Sequence, residues 1–588
     1  MKPKNKHTTI GLIVDDIFSD FAKEVIHSTM NALPNTRDYR LVVIAGKYVD
    51  ERAYEAFDYS YKKTYNSVYK LGDICDIDGL IISLGSIDPS EQGFFFKKYN
   101  ADFENIPKII IAGEVEGYLT VNYDNSTGIR EAIDYLVNVN GFNKICMLGG
   151  RDDNGDAMKR KKIYIDCLKE HFIEFKDEWY IPTGMDPNCV EQASRLLDNN
   201  PDVQAIFCVN DAVAIGLYEA MSQRSLVPGK DIMVFGFDKT VQAGNMKPSL
   251  ASIGADNVTL GRKAVELLLK IFNGEEVHSE LLPVKVYGRE SFDCSKNDYA
   301  PLHLFHADDA FLYKLFDDCF YRYKNELIDP KDVDLKRLFY EFAFRMLRAM
   351  RMKYMSLEEF QEVERLIDIF FENGAIDYTD TSKLINTINR LQRRLNIMQK
   401  SAAASYMNNR LFTHIKDSAL RAVSAKRDEE NSINQLNLAL LLKFQIDGAT
   451  NARFKGDLIN RIIRNFDKLG LHNAAFYMYD KPVDFSFTNP PDPSTFPTTI
   501  DLICLTKNGT FHLIPEERRT TPVSKMFARD ELSAKKNSFL LFPVFYESFI
   551  FGLLISEIDK SIYDRGEFIA GQLGRSLNDA RLSGDVTS

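Results

Sequence analysis

The sequence predicts an α/β protein with two lobes, each built on a doubly wound parallel sheet, followed by an all-α module and an α+β unit. Three observations predict it. Short apolar runs alternate with helical patterns through the first half, at the spacing of parallel βαβ winding. Those runs form two series, and two lobes leave a crevice where a small ligand can sit. Past Phe292 the pattern changes to amphipathic helices and then to alternating strands.

A chain of 588 residues is too long for one core. Its net charge of −11 argues against broad nucleic-acid binding through phosphates. The eight cysteines form no CxxC pair, and several lie inside apolar runs, as buried free thiols do in a reducing compartment. The basic N-terminus is followed by an apolar run of residues 10–14 only, too short for a signal peptide. No run approaches a membrane span. A cytoplasmic protein without membrane contact is expected.

In order, strands are expected at 9–14, 40–45, 79–84 and 108–112, then at 144–148, 179–181, 205–209 and 232–237. Runs 205–209 and 232–237 each lead into a carboxylate, Asp211 after Asn210 and Asp238 directly. Open α/β sheets present ligand contacts at such strand ends. The plainer reading is that Asp211 caps the helix after it and Asp238 closes a turn.

After 292, FLYKLFDDCFYRYKNEL, DLKRLFYEFAFRMLRAM and LEEFQEVERLIDIFF show helical spacing, giving a helical module over 298–380. Leu384, Ile388, Leu391, Leu395 and Met398 step as a heptad seam. A parallel dimer helix over 381–430 and a homodimer are therefore expected, although a helix packed in a bundle has the same spacing. From 432 to 588 the order is helices (INQLNLALLLKF, KGDLINRIIRNFDKLG), strands at 473–479, 500–505, 511–514, 539–545 and 549–556, and a closing helix at 566–582.

IGLIVDDIFSDFAKEVIHSTMNA, DGLIISLG, IPKIIIAGEVEGYLTVNYDNSTGIREAIDYLVNVNGFNKICMLGG, RKKIYIDCL, VNDAVAIGLYEAM, VPGKDIMVFGFD and KPSLASIGADNVTLGRKAVELL occur in that order. Together they resemble the sensor of the lactose-repressor/galactose-repressor family and its periplasmic sugar-binding relatives over residues 8–292. The resemblance implies a two-lobed periplasmic-binding-protein-like fold. It also implies ligand contacts from Asp211 and Asn210 in VNDAVA, from Arg160 in the lobe-two loop, from Asp238 in GFD and from Phe21 at the first strand–helix turn. That set suits a sugar-like ligand: carboxylates accept from hydroxyls, a guanidinium forks between oxygens and an aromatic face covers a ring. Asp20 stands where the family usually has proline, so ligand identity stays open.

Repressors of this family carry a helix-turn-helix before the first strand. Here strand one is expected near Thr9, so direct DNA binding by that route is not expected. Residues 432–588 resemble a GAF domain in element order, and the whole resembles the sensory part of bacterial diguanylate cyclases without the GGDEF domain. The alternative is a transcription regulator acting through a partner or an unrecognised DNA-binding segment. No catalytic motif, metal-ligand spacing or cofactor signature is found, so neither an enzyme nor a metal or cofactor is expected.

Overall fold

The computed structural model describes residues 8–34, 38–47, 58–70, 77–87, 106–255, 257–292, 308–320, 323, 333–352, 354–379, 381–398, 402–451, 466, 469–485, 497–528 and 537–582. None of the described helices is long and apolar enough to cross a membrane.

Lobe one begins with β1 (Thr8–Val14), α1 (Asp20–Ala32), β2 (Tyr39–Ala45), α2 (Tyr59–Tyr65), β3 (Gly79–Ser83), β4 (Lys108–Ile111) and β5 (Leu119–Asp124). Lobe two follows with α3 (Asn125–Asn138), β6 (Ile145–Gly149), α4 (Gly155–Glu170), β7 (Tyr180–Pro182), α5 (Val190–Asn199), β8 (Ala205–Cys208), α6 (Asp211–Ser222), β9 (Met233–Phe237) and β10 (Ala251–Gly254). The chain returns to lobe one for α7 (Asn257–Phe272) and β11 (Glu280–Pro283), then to lobe two for β12 (Lys285–Tyr287).

Lobe two is a sheet in the order β12-β10-β9-β8-β6-β7, parallel except for β12. The lobe-one strands run β11-β5-β4-β3-β1-β2, all parallel. Their central strands are apolar almost throughout because helices bury both faces. α1 and α7 approach so closely that a Cβ on Gly261 would lie 2.1 Å from Ser28 Oγ.

Three segments cross between the lobes: β5 into α3, β10 into α7, and β11 into β12. They are tied to one another. The Tyr123 hydroxyl donates to Asn257 (2.8 Å), and Thr127 Oγ1 both donates to the Val284 carbonyl (2.9 Å) and accepts from its N–H (3.0 Å). The short strands β5, β10, β11 and β12 at these crossings were not among the strands expected from apolar runs. Runs of three to six residues, interrupted by polar positions, carry little periodic signal.

Helices alone fill the described residues from 308 to 451: α8 (Asp309–Cys319), α9 (Leu335–Met352), α10 (Leu357–Glu372), α11 (Thr381–Met398) and α12 (Ala402–Asn451), with a single 3-10 turn at Ala375–Tyr378. Two expectations bear on these helices. The seam residues Leu384, Ile388, Leu391 and Leu395 are buried in one core with Phe316, Phe339, Phe370, Phe412 and Ile415. They pack within the chain, the bundle alternative that shares its spacing with a dimer seam. The boundary expected between 430 and 432 falls inside α12, a helix of 50 residues and about 75 Å.

The C-terminal unit contains β13 (Ala474–Asp484), β14 (Thr499–Lys507), β15 (Thr510–Leu513), β16 (Thr520–Pro522), β17 (Ser538–Tyr546), β18 (Phe549–Glu557) and α13 (Lys560–Leu582). The helix expected at KGDLINRIIRNFDKLG lies mostly outside the described residues. Strands β17-β18-β13-β14-β15 are antiparallel, and β16 joins β14. α13 lies so close to this sheet that a Cβ on Gly574 would sit 2.0 Å from the Phe545 carbonyl oxygen.

This unit does not stand apart from lobe one. β17 pairs in parallel with β2, from Ser538 opposite Leu41 to Leu541 opposite Ile44. Lobe one and the C-terminal unit thus share one twelve-stranded sheet. Asn537 seals the start of the pairing: its side chain accepts from Arg40 Nε (3.0 Å) and donates to the Tyr39 carbonyl (2.9 Å).

Candidate ligand-binding site

The expected site residues of lobe two gather where β8 and β9 end. Asn210 is the N-cap of α6, its side-chain oxygen accepting from the Val213 N–H (2.9 Å) and its Nδ2 donating to the Met185 carbonyl (3.0 Å). Both ends of its amide are in use, so it fixes the loop at 185 against the helix start.

Asp211 is 2% exposed. Its Oδ2 accepts from the Thr240 N–H (2.8 Å) and hydroxyl (3.0 Å), and its Oδ1 accepts from the Ser252 hydroxyl (2.6 Å). Burial, then the Asp238 charge, pushes its carboxyl up to about 7 against the pull of these donors. The expectation that Asp211 offers a free carboxylate to a ligand meets a different geometry. Its oxygens are turned inward and satisfied within lobe two.

What those bonds hold is the turn after β9. Asp238 and Lys239 both have left-handed backbones, with φ of 97° and 53°, a conformation that side-chain-bearing residues adopt at a cost. The turn keeps it because Asp211 holds Thr240 and the Ser252 hydroxyl accepts from the Lys239 N–H (2.9 Å). Asp238 thereby projects its side chain, 44% exposed, beside Arg160.

Arg160 comes from α4, whose N-cap Asn154 accepts from the Ala157 N–H (2.8 Å). The guanidinium is buried. It stacks 3.6 Å from the Phe237 ring centroid, donates from Nη1 to the Val209 carbonyl (2.8 Å) and has Nη2 3.4 Å from Asp238 Oδ1. Its Nε is buried with no hydrogen-bond acceptor among the described residues. Partial burial holds the Asp238 carboxyl above its usual range, and Arg160 opposes that rise.

Phe21 lies in lobe one, half-buried against that lobe's core. It is not brought to Arg160 by any recorded contact; Phe18, three residues earlier, is the more exposed ring. Two residues that sequence reasoning missed join the lobes directly. Lys159 Nζ on α4 reaches Glu114 Oε2 after β4 (2.9 Å), and Asn122 Nδ2 donates to the same carboxylate (3.2 Å). The Lys159 hydrogen bond holds the Glu114 carboxyl below its usual range. The one signal available was the adjacency of Lys159 to Arg160. Cys146, Cys167, Cys189, Cys208, Cys319 and Cys504 are all buried and free.

Residues 133–292 match the family model of a periplasmic binding protein-like domain. This part of the chain is similar to a periplasmic binding protein-like domain. Its relatives include the HTH-type transcriptional repressor PurR of Histophilus somni, 24% identical over 283 residues, which are 48% of this chain and 79% of that protein. The HTH-type transcriptional repressor CytR of Escherichia coli is 26% identical over 283 residues, 47% of this chain and 76% of that one. Among solved structures, a transcriptional regulator CelR–cellobiose complex aligns with 49% of this chain and 85% of its own, at 21% identity and a TM-score of 0.40. The matches to PurR and CytR each cover about half of this chain.

Proposed function

We propose that this chain is a ligand-responsive transcription regulator whose sensor lobes close on a small polyhydroxylated molecule. The observation that carries the ligand reading is Arg160. Its guanidinium is fixed by a ring, a carbonyl and a carboxylate, yet keeps one buried N–H without an acceptor. Such a group costs about 1–3 kcal/mol when unmet, which a ligand oxygen would recover. Asp238 beside it accepts from hydroxyls, and the pair suits a sugar, sugar acid or nucleoside. Asp211 and Asn210 act one step back, holding the two turns, and Phe21 supports the lobe-one wall.

Closure brings α4 toward the loop after β4, and the Lys159–Glu114 pair supports a closed arrangement as the one described. The repressor relatives favour a transcriptional output over the sensory part of a diguanylate cyclase. The GAF-like reading of the C-terminal unit is supported by its antiparallel sheet and terminal helix alone.

The test is a thermal-shift panel of pentoses, hexoses, disaccharides, hexuronates and nucleosides on the full chain and on Arg160→Met. One class should stabilise the parent, by about 2.7 kcal/mol at a hundredfold excess over Kd, and leave the variant unmoved. A panel in which nothing stabilises the parent, or in which the variant responds equally, refutes the reading. Binding of upstream DNA fragments that weakens steeply with salt would support direct contact with DNA, and its absence would leave a partner to supply it.

A further inference from the structure

Lobe one and the C-terminal unit meet at a nearly buried lysine. Lys47, two residues beyond β2, has a side chain only 10% exposed. Its ammonium lies 3.2 Å from Asp16 Oδ1 and 2.8 Å from Glu567 Oε2. Asp16 belongs to the turn between β1 and α1, and Glu567 belongs to α13. The rings of Phe18 and Tyr65 flank the same ammonium at 4.9 and 5.3 Å.

The backbone of Lys47 is held independently of its side chain. Asn66 accepts from its N–H (2.7 Å) and donates to its carbonyl (2.7 Å). Glu567 is held from the lobe-one side as well, accepting from the Tyr61 hydroxyl (2.8 Å). Phe545 of β17 packs its ring against Tyr61 and Tyr65 at 5.2 and 6.0 Å. An ammonium so far removed from water is tolerated only with charged partners close by, and here the partners come from two different units.

We propose that Lys47 couples the ligand cleft to the C-terminal unit by dividing its ammonium between Asp16 and Glu567. The proposal rests on the reading of the cleft as a ligand site. The turn bearing Asp16 and Phe18 follows the C-terminal end of β1, the edge at which an α/β sheet meets its ligands. A ligand hydroxyl that engages Asp16 leaves the ammonium to Glu567 alone, and α13 and β17 are then held more tightly against lobe one. The surrounding architecture suits this role. The β2–β17 pairing makes lobe one and the C-terminal unit a single body, while Asn386 of α11 donates to Glu290 of lobe two (3.3 Å). Lobe closure therefore moves the helical module relative to the body that carries Lys47, and α12 joins the two.

The test needs no ligand, so its failure is distinct from failure of the ligand panel. Hydrogen exchange is followed in the full chain for the parent, Asp16→Asn, Lys47→Met and the double variant. Asp16→Asn imitates the engaged turn and should slow exchange in α13 and β17 about fivefold, the lower range of allosteric coupling. In the Lys47→Met background the same change should do nothing there, and exchange in α6 of lobe two should be constant throughout. Glu567→Gln provides a second background, with the same expected silence, should Lys47→Met fail to fold. Exchange in α13 that ignores Asp16→Asn, or responds to it equally without Lys47, overturns the proposal.

Discussion

Replacing Asp211 by asparagine should alter the pH dependence of lobe-two stability more than its magnitude at any one pH. The carboxyl is shifted from 3.8 to about 7, with burial the larger cause and Asp238 the second. Between those values the folded protein keeps the proton that the unfolded chain has released. Stability from this group is therefore complete below about pH 4, falls by about 1.4 kcal/mol per pH unit as pH rises, and is lost above about pH 7. The whole change is about 4 kcal/mol at that slope. Asparagine has no such proton, so the stability of Asp211→Asn relative to the parent should rise by about 4 kcal/mol from pH 4 to pH 8 and then level off. The sequence contains one tryptophan, Trp179, buried in the same core as β8 and β9, so its fluorescence follows lobe two alone in urea. That selectivity matters because a chain of several units does not unfold in one step. Parallel pH curves for parent and variant would refute the reasoning. They would mean that the three donors from Thr240 and Ser252 keep the carboxylate ionised despite its burial.

Arg160→Lys should weaken binding of whichever class the ligand panel identifies by about tenfold or more, because an ammonium cannot reproduce the planar fork or the stack on Phe237; calorimetric titration measures it. Glu114→Gln should cost less than about 1 kcal/mol, since both partners of the Lys159 pair are substantially exposed. It should nonetheless increase the radius of gyration in X-ray scattering as the lobes separate. Leu391→Lys places an ammonium among the apolar side chains of the helical module and should cost about 3–5 kcal/mol, read as loss of helical circular dichroism at lower temperature with the molar mass unchanged. A fall in mass with helix content intact would instead make the seam a surface between two copies.

The lobes were legible because their central strands are continuous apolar runs ended by polar turns, as at 205–209 before Asn210 and 232–237 before Asp238. Their parallel winding was legible in the alternation of those runs with helical patterns, but their pairing order was not. The site was legible as residue types but not as roles. A strand-end aspartate looks the same in sequence whether it faces a ligand or, like Asp211, turns inward to hold Thr240. Arg160 needed α4 to bring it over Phe237, a contact between segments without local periodicity. The seam at 384–395 misled for the complementary reason, since one spacing serves two partners. The junction of β2 with β17 had no signature at all. An edge strand and a covered strand have similar composition when both faces of the sheet are buried.

That junction has a consequence for how the molecule is made. Arg40 and its partner Asn537 are 497 residues apart, so β2 leaves the ribosome long before the strand that covers it. At about 5–20 residues per second, the interval is roughly 25–100 s. For that time lobe one lacks the strand that pairs with Leu41–Ile44, an apolar edge of the kind on which nascent chains pair wrongly with one another. Yield in the cell should therefore depend on the rate of synthesis and on chaperones that cover strand edges, even though the finished protein leaves that edge paired.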